Sequence, residues 1–277
     1  MVDCDPTTDS APASSYPQLS SVSIGMPIYN EASYIRGALD SLLAQIFTDF
    51  ELIISDNASS DDTQAICQEY ARRDQRILYF RQPTNLGATA NFQFVLDQAR
   101  GEFFMWAAAD DRHDQRYLKA LIEILLYDQG CALAFSDYVT RNLETGEESF
   151  YRVIPSNSNN LFINYVIRLL QMCPSMVYGL FRTQYLKSTK LEAFDFSDVH
   201  LTLHLACQFR IRVANECLYV AGTKGARIQY SFSGGKIRRI DFLRRQYSLV
   251  LHHFDPFRAG LLFLLACIVM LFNKITS

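Results

Sequence analysis

The chain lacks the motifs of several common enzyme classes. It has no G-x-x-x-x-G-K-S/T segment, which argues against an ordinary P-loop enzyme, and no G-x-G-x-x-G after the first strand pattern, which argues against a dinucleotide oxidoreductase. A G-x-S-x-G elbow of the α/β-hydrolase type is also missing. His200 and His204 stand four residues apart, but without the glutamate of an H-E-x-x-H motif they favour an ordinary helix face over a zinc site.

Two further absences concern cysteine pairs and targeting. The seven cysteines are odd in number and form no Cys-x-x-Cys pair, which argues against a disulfide framework and for reduced, mostly buried thiols. The N-terminus has no basic segment followed by an apolar core, so a secretory signal is not indicated. Both observations predict a cytoplasmic protein.

Composition and charge are those of an ordinary globular protein. The net charge is -3 and charged residues make up 20% of the chain, so no nucleic-acid partner is expected. At 277 residues the chain can bury one large core or two small ones. Because no internal repeat or linker divides it, we predict one domain over residues 21–235, after a disordered leader at 1–20 and before a C-terminal tail at 236–277.

The tail joins basic residues to an apolar run. Residues 259–272 read AGLLFLLACIVMLF, which is shorter than the roughly 20 apolar residues that a membrane-spanning helix usually needs. Basic residues precede this run and favour an anionic membrane surface: Lys236, Arg238, Arg239, Arg244 and Arg245. Two interpretations follow, a helix packed on the protein's own core or an interfacial or shallowly inserted membrane attachment.

Strand and helix patterns alternate from residue 21 to residue 135. Apolar or β-branched runs predict strands at 22–26, 51–55, 77–81, 103–109 and 131–135, with helical spacing at 31–45, 63–72, 88–99 and 115–127. Such an order is typical of a Rossmann-like, mostly parallel sheet flanked by helices. The second half is less regular, with predicted helices at 161–170 and after 198, and predicted strands at 176–181, 211–213 and 217–221.

Polar clusters follow three of the predicted strands. They are residues 27–31, residues 56–62 and the carboxylate pair Asp110-Asp111. In open α/β sheets the ligand crevice lies at the carboxyl ends of the strands, so these loops can converge on one ligand. Two adjacent carboxylates at such an edge need a cation or a proton. A carboxylate at Asp56 can accept the N–H of a base, although Asp56 can also serve as a turn and capping residue.

The region from Val22 to Leu121 resembles the catalytic domain of inverting glycosyltransferases of family 2, which have the GT-A fold. The matching stretches are VSIGMPIYNE, SLLAQIFTDFELIISDNASSDDT and NLGATANFQFVLDQARGEFFMWAAADD, in the family's order and spacing. The resemblance implies inverting transfer of a single sugar from a nucleotide-diphospho-sugar, with UDP expected, to a glycan or lipid-linked acceptor. Residues 21–135 are then the nucleotide-sugar half and residues 136–235 the acceptor half.

The resemblance also implies the site residues. Those expected to hold the nucleotide are Pro27, Tyr29, Asn30, Glu31, Asp56, Asn57, Asn85, Gly87, Asn91 and Asp110. Asp110 and Asp111 are expected to hold Mg²⁺ or Mn²⁺ together with the donor's diphosphate. The chain departs from the family at Ala108, where the first metal-motif acid usually stands, and at Ala90, which often is Arg.

An inverting transfer needs a base for the acceptor hydroxyl. By the same resemblance the base is an Asp near the start of a later helix; Asp198 is the first candidate and Asp195 the reserve. No Gln-x-x-Arg-Trp motif is present, which argues against a processive synthase. Two alternatives from other classes remain at this stage, a catalytically inactive nucleotide-sugar-binding module and a sugar-nucleotide pyrophosphorylase.

Overall fold

The computed structural model describes residues 21–156, 158–189, 197–224 and 236–272. The strands in chain order are β1 Val22–Ile28, β2 Phe50–Asp56, β3 Ile77–Arg81, β4 Phe103–Trp106, β5 Arg112–His113, β6 Cys131–Asn142, β7 Glu148–Tyr151, β8 Leu180–Arg182 and β9 Arg210–Thr223. The helices are α1 Ile35–Leu43, α2 Thr63–Arg73, α3 Ala88–Gln98, α4 Tyr117–Tyr127, α5 Leu161–Gln171, α6 Thr183–Lys187, α7 Ser197–Gln208, α8 Lys236–His253 and α9 Pro256–Phe272. A 3₁₀ helix spans Pro174–Tyr178.

The described strands form one mixed sheet. Its order is β3-β2-β1-β4-β8-β6-β9-β5, with β7 paired to β6. The first four strands run parallel, as the alternating pattern predicted, and β9 runs parallel to β6. Strand β8 is antiparallel to both β4 and β6, so it joins the two parallel groups. The α/β prediction, with a mostly parallel sheet flanked by helices, is confirmed.

The first strands are buried on both faces, which explains their continuous apolar runs. Every residue of β2 is buried. On β1, a Cβ added at Gly25 would lie 2.7 Å from the side chain of Val95, so the missing side chain lets α3 pack directly on the strand. In the first half of α3, Asn91 Nδ2 donates to the carbonyl oxygens of Ile28 and Ser55, which holds the carboxyl ends of β1 and β2 beside this helix.

Three sequence predictions of element bounds were wrong. Strand β4 ends at Trp106 rather than at residue 109, so Asp110 lies in a turn beyond the strand and Asp111 directly follows that turn. Predicted strand 176–181 begins as the 3₁₀ helix, which Pro174 starts, and only Leu180–Arg182 is a strand. The two short strands at 211–213 and 217–221 are one strand, β9, whose register slips against β6 because Asn215 and Glu216 bulge out.

The C-terminal apolar run forms helix α9, which lies against α5 and α8. Its buried face carries Ala259, Leu262, Ala266 and Val269. Its opposite face is apolar as well and exposed, with Phe257 at 82%, Leu261 at 50%, Leu264 at 57% and Ile268 at 39%. No described helix is both long and apolar enough to cross a membrane. The tail therefore has a face packed on the protein and a second apolar face in solvent.

Candidate active site

The loops after β1 and β2 are tied to each other by hydrogen bonds. The Asn30 amide donates to Ser59 Oγ at 2.9 Å, and the Ser60 amide donates to Asn30 Oδ1 at 2.8 Å. The Glu31 amide donates to Thr63 Oγ1 at 2.8 Å. Asn30 has a φ of 56°, a backbone state that Asn tolerates better than most residues. Two of the three predicted polar clusters thus form one connected rim.

Asp56 ends β2 with its carboxylate fully buried. Its Oδ1 accepts a hydrogen bond from the Ser59 amide at 2.8 Å. Its Oδ2 accepts from the Tyr79 hydroxyl at 2.7 Å and from Arg81 Nη1 at 2.6 Å. The Arg81 side chain is 33% exposed and lies between this carboxylate and solvent. A base can reach Asp56 only after Arg81 or Tyr79 moves.

The asparagines of the next turn are also held. Asn57 Nδ2 donates to Asn85 Oδ1 at 2.8 Å, and the Leu86 amide donates to Asn57 Oδ1 at 2.8 Å. Gly87 has a φ of 82°, which a residue with a side chain adopts only with strain, and it caps the N-terminus of α3. Buried Asn91 accepts from Ser55 Oγ at 2.6 Å. These residues shape the rim between β2 and α3.

The two neighbouring acids have different surroundings. Asp111 is buried, and its carboxyl accepts hydrogen bonds from the Tyr219 hydroxyl and, at 2.9 Å, from the Gly222 amide. Burial, and after it the charge of Asp110, raises the pKa of Asp111 to about 8. A Cβ on Gly222 would lie 2.3 Å from the carbonyl oxygen of Asp110, so glycine is required there. The end of β9 therefore fixes the positions of Asp110 and Asp111.

Asp110 points instead toward solvent and a lysine. Its Oδ2 lies 3.5 Å from Lys224 Nζ, and the same ammonium donates to the two carboxylate oxygens of Glu31 at 2.7 and 2.6 Å. Glu31 and Asp110 side chains are each 19% exposed and Lys224 is 41% exposed. Burial raises the pKa of Glu31, although the hydrogen bond from Lys224 opposes that rise. Burial works to lower the pKa of Lys224, but the bond to Glu31 and the charge of Asp110 outweigh it and raise that pKa.

The remaining predicted site residues are placed as follows. Pro27 pairs with Ser55 near the end of β1, and Tyr29 is 46% exposed on the loop beyond it. Asp198 is half-buried on the first turn of α7, where its Oδ1 accepts from the Val199 amide at 2.7 Å. Asp195 lies outside the described residues. The assignment of either acid as the base stays a prediction.

The described residues include no group of three or more His, Cys, Asp or Glu side chains placed to hold a metal. Glu31 and Asp110 do present partly exposed carboxylates to the same ammonium. Two hard oxygen donors fit Mg²⁺ or Mn²⁺ when phosphate and water oxygens complete the coordination. Asp111 would have to give up a hydrogen bond to join them, so its role as a ligand stays a prediction.

Sequence reasoning missed the residues that surround the acids from distant strands. Arg81 and Tyr79 on β3 enclose Asp56, while Tyr219, Gly222 and Lys224 at the end of β9 surround the acid pair. The signal for the second group was present, because a glycine and a lysine follow the 217–221 strand pattern at its carboxyl end. What the sequence could not show is that the end of β9, which pairs with β5, lies beside the Asp110–Asp111 segment that follows β4.

Comparison with known proteins assigns the family. The model described as "Glycosyl transferase family 2" matches residues 23–188, which is more than half of the chain. The chain belongs to this family. The family 2 domain contains β1 to β8, and with them Glu31, Asp56, Asp110 and Asp111, whereas Lys224 lies beyond the matched residues.

One curated relative of the family 2 chain is the GalNAc(5)-diNAcBac-PP-undecaprenol beta-1,3-glucosyltransferase of Campylobacter jejuni. It is 38% identical over 91 residues, which cover 32% of this chain and 29% of the relative. The chain spans less than half the length of this and the other first curated relatives that it matches.

Solved structures share the fold of the family 2 chain. S. aureus TarS in complex with UDP-GlcNAc is 20% identical, with a TM-score of 0.63 over 83% of this chain and 66% of TarS. The mannosyltransferase PcManGT from Pyrobaculum calidifontis, in complex with GDP-Man and Mn²⁺, is 16% identical, with a TM-score of 0.63 over 96% of this chain and 73% of that one. At these identities the likeness supports the GT-A-like fold.

Proposed function

We propose that this chain transfers one sugar, with inversion, from a nucleotide-diphospho-sugar to a glycan or lipid-linked acceptor. The observation that carries the proposal is the meeting of the β1, β2 and β4 loops at one sheet edge, where Glu31, Asp110 and Lys224 form a charged group. A bound diphosphate is stabilised by a divalent cation and by a positively charged side chain. This sheet edge offers acids that can hold the cation and a lysine that can contact the phosphate. Neighbours that bind UDP-GlcNAc and GDP-Man share this fold.

The β2 end of the edge is the proposed site of the nucleoside. Asp56 and Arg81 together offer an acceptor and donors to the edge of a base, once Arg81 turns toward it. Tyr29 is exposed beside this rim and can stack on the base or ribose. UDP is the expected donor nucleotide.

The β4 end is the proposed site of the diphosphate. Asp110, assisted by Glu31, would hold Mg²⁺ or Mn²⁺, and Asp111 would fix the position of Asp110 through its bonds to β9. A divalent cation, when bound there, supplies positive charge to the departing diphosphate. Lys224 lies at the same point and can add a charge-assisted contact to a phosphate oxygen.

The acceptor reacts on the opposite face of the sugar. Asp198 is the proposed base, which takes the proton of the acceptor hydroxyl as its oxygen bonds to the anomeric carbon. The bond from that carbon to the diphosphate breaks on the other side, so the configuration inverts. A position on the first turn of α7 suits a carboxylate that must stay ionised, because a helix N-terminus stabilises negative charge.

The exposed face of α9 supports a membrane-surface partner for the acceptor half. Four exposed apolar residues repeat at helical spacing on this face: Phe257, Leu261, Leu264 and Ile268. Arg244 on α8 and Arg258 on α9 are exposed as well, and such charges attract anionic headgroups. An interfacial position at the cytoplasmic face of a membrane would bring this domain to a lipid-linked acceptor, the class named for the Campylobacter relative.

A thermal-shift panel of UDP-, GDP- and dTDP-sugars with Mn²⁺ tests the donor proposal. A donor at about 100 times its dissociation constant should raise the melting temperature by roughly 5 to 10 °C. Failure of every nucleotide sugar to raise it would contradict the proposal. Transfer or donor hydrolysis, assayed with and without EDTA, then separates an enzyme from an inactive binding module, which would bind the donor and leave it intact.

A further inference from the structure

Lys224 lies beyond the residues that match the family, and it contacts both partly exposed acids, Glu31 and Asp110. Its Nζ lies 2.6 and 2.7 Å from the Glu31 oxygens and 3.5 Å from Asp110 Oδ2. The same Nζ lies 5.0 Å from the centre of the Tyr34 ring, which adds a cation–π contact. Two acids and an aromatic face therefore hold one ammonium.

The position of this ammonium has a consequence for cation binding. Glu31 and Asp110 are the partly exposed carboxylates of this group, and the single positive charge of Lys224 lies against both and offsets one of their two negative charges. A divalent cation that approached them in the absence of nucleotide would have to displace the ammonium or lie beside it. Like charges at such distances repel, so the lysine must weaken the binding of a cation alone.

A bound nucleotide diphosphate changes this balance, because it brings negative charge of its own. Lys224 is 41% exposed on a flexible four-carbon stem, so its ammonium can turn from the carboxylates to a phosphate oxygen without a change in the sheet. The carboxylates are then released for the divalent cation. The lysine and the cation would both contribute positive charge to the leaving group.

We propose that Lys224 is an exchangeable cation, which occupies the Glu31–Asp110 carboxylates in the free protein and moves to the diphosphate when donor and metal bind. This inference rests on the proposed function, since it assumes a nucleotide-diphosphate donor. It makes metal binding dependent on nucleotide, so that Mn²⁺ and UDP each bind better in the presence of the other. Lys224 is thereby a binding residue for the diphosphate as well as a competitor of the metal.

Mn²⁺ titration of the nucleotide-free protein, followed by the EPR signal of free Mn²⁺, tests the first half of the inference. Lys224→Met should bind Mn²⁺ about fivefold more tightly than the wild type, because Mn²⁺ no longer has to break the partly exposed ion pairs of Lys224 and such pairs contribute up to about 1 kcal/mol. Lys224→Arg, which keeps the charge, should stay near the wild type. Lys119→Met removes an exposed lysine on α4 and is the matched control. Equal Mn²⁺ affinities in wild type and Lys224→Met would overturn the inference.

UDP titration at saturating Mn²⁺ tests the second half. Lys224→Met should weaken UDP binding by about tenfold, because a charge-assisted contact is lost, and Lys119→Met should not. Unchanged UDP affinity in the folded variant would overturn the phosphate contact. If Lys224→Met fails to fold, as judged by circular dichroism, Lys224→Gln takes its place. Failure of UDP and GDP to bind even the wild type would refute the proposed function, while the nucleotide-free Mn²⁺ titration would still decide on Lys224.

Discussion

At the β2 end of the sheet edge the Asp56 carboxylate is fully buried and shared by three donors, whereas at the β4 end the Asp110 carboxylate is partly exposed and faces a lysine on a flexible stem. The first arrangement stabilises the loops and leaves little freedom. The second is a balance of charges that a ligand can change. We expect the Asp56 carboxylate to keep its position at the nucleoside end, where Arg81 or Tyr79 must move to admit a base, while the charged group at the diphosphate end rearranges when donor and cation bind.

Substitution of the exposed acid should give the largest functional effect. Asp110→Asn removes a carboxylate from the proposed cation site and should lower the transfer rate between about 100- and 1000-fold, the usual cost of losing transition-state charge stabilisation. Asp111→Asn is the matched variant, since Asp111 is buried and hydrogen-bonded to β9. It should lower the rate by less than about tenfold. Equal losses in two folded variants would show that Asp111 acts on the ligand directly.

Substitution of the buried acid should affect stability first. Asp56→Asn leaves Arg81 without its charged partner and should lower the free energy of unfolding by about 2 to 3 kcal/mol, near the lower end for buried pairs because Arg81 is partly exposed. Glu69→Gln breaks the more exposed pairs with Arg36 and Arg73 and should cost much less than Asp56→Asn. Urea unfolding measures both variants. Similar small losses would mean that the β2 end is no more rigid than the surface.

Helix α7, which carries Asp198 and packs against α8, also carries His200. Burial, and then the charges of His204 and Arg245, lowers the pKa of His200 to about 4, from an ordinary value of 6.5. The His200 imidazole therefore binds a proton more readily in the unfolded chain than in the folded protein. The contribution of neutral His200 to the free energy of unfolding is complete above pH 6.5 and is lost as the pH falls toward 4.

Between pH 7 and pH 5 the free energy of unfolding of the wild type should fall by about 2 kcal/mol more than that of His200→Gln. Urea unfolding at the two pH values gives the difference directly. His252→Gln, at an exposed neighbour on α8, should behave like the wild type. A His200→Gln variant that loses as much stability as the wild type would contradict the assignment.

The smallest expected effect concerns the exposed face of α9, which is apolar, unlike the charged β2 and β4 ends of the sheet edge. Leu261→Glu should lower the bound fraction on vesicles with anionic lipid, with about fivefold weaker binding, because a half-exposed leucine no longer enters the interface. Leu126→Glu changes a leucine of similar exposure on α4 and should leave sedimentation unchanged. If both variants bind vesicles like the wild type, the α9 face does not contact membranes.

The sequence predicted which loops meet, because polar clusters after parallel strands share one edge. It could not predict that neighbouring acids differ, since Asp111 is buried by Tyr219 and Gly222, about 110 residues away in the chain, and Asp110 is not. The bulge at Asn215 and Glu216 also hid the length of β9 by interrupting its apolar pattern. The glycine and lysine that follow this pattern were visible in the sequence, but which loop they contact depends on the distant register of β9.

In calorimetric titrations of UDP and GDP into the wild type, one of the two nucleotides should bind with Mn²⁺, and its binding should weaken by about tenfold or more in EDTA, because the diphosphate then loses the cation held by Asp110. Asp110→Asn with Mn²⁺ should resemble the wild type in EDTA. Equal affinity in all three conditions, or no binding of either nucleotide, would contradict the account.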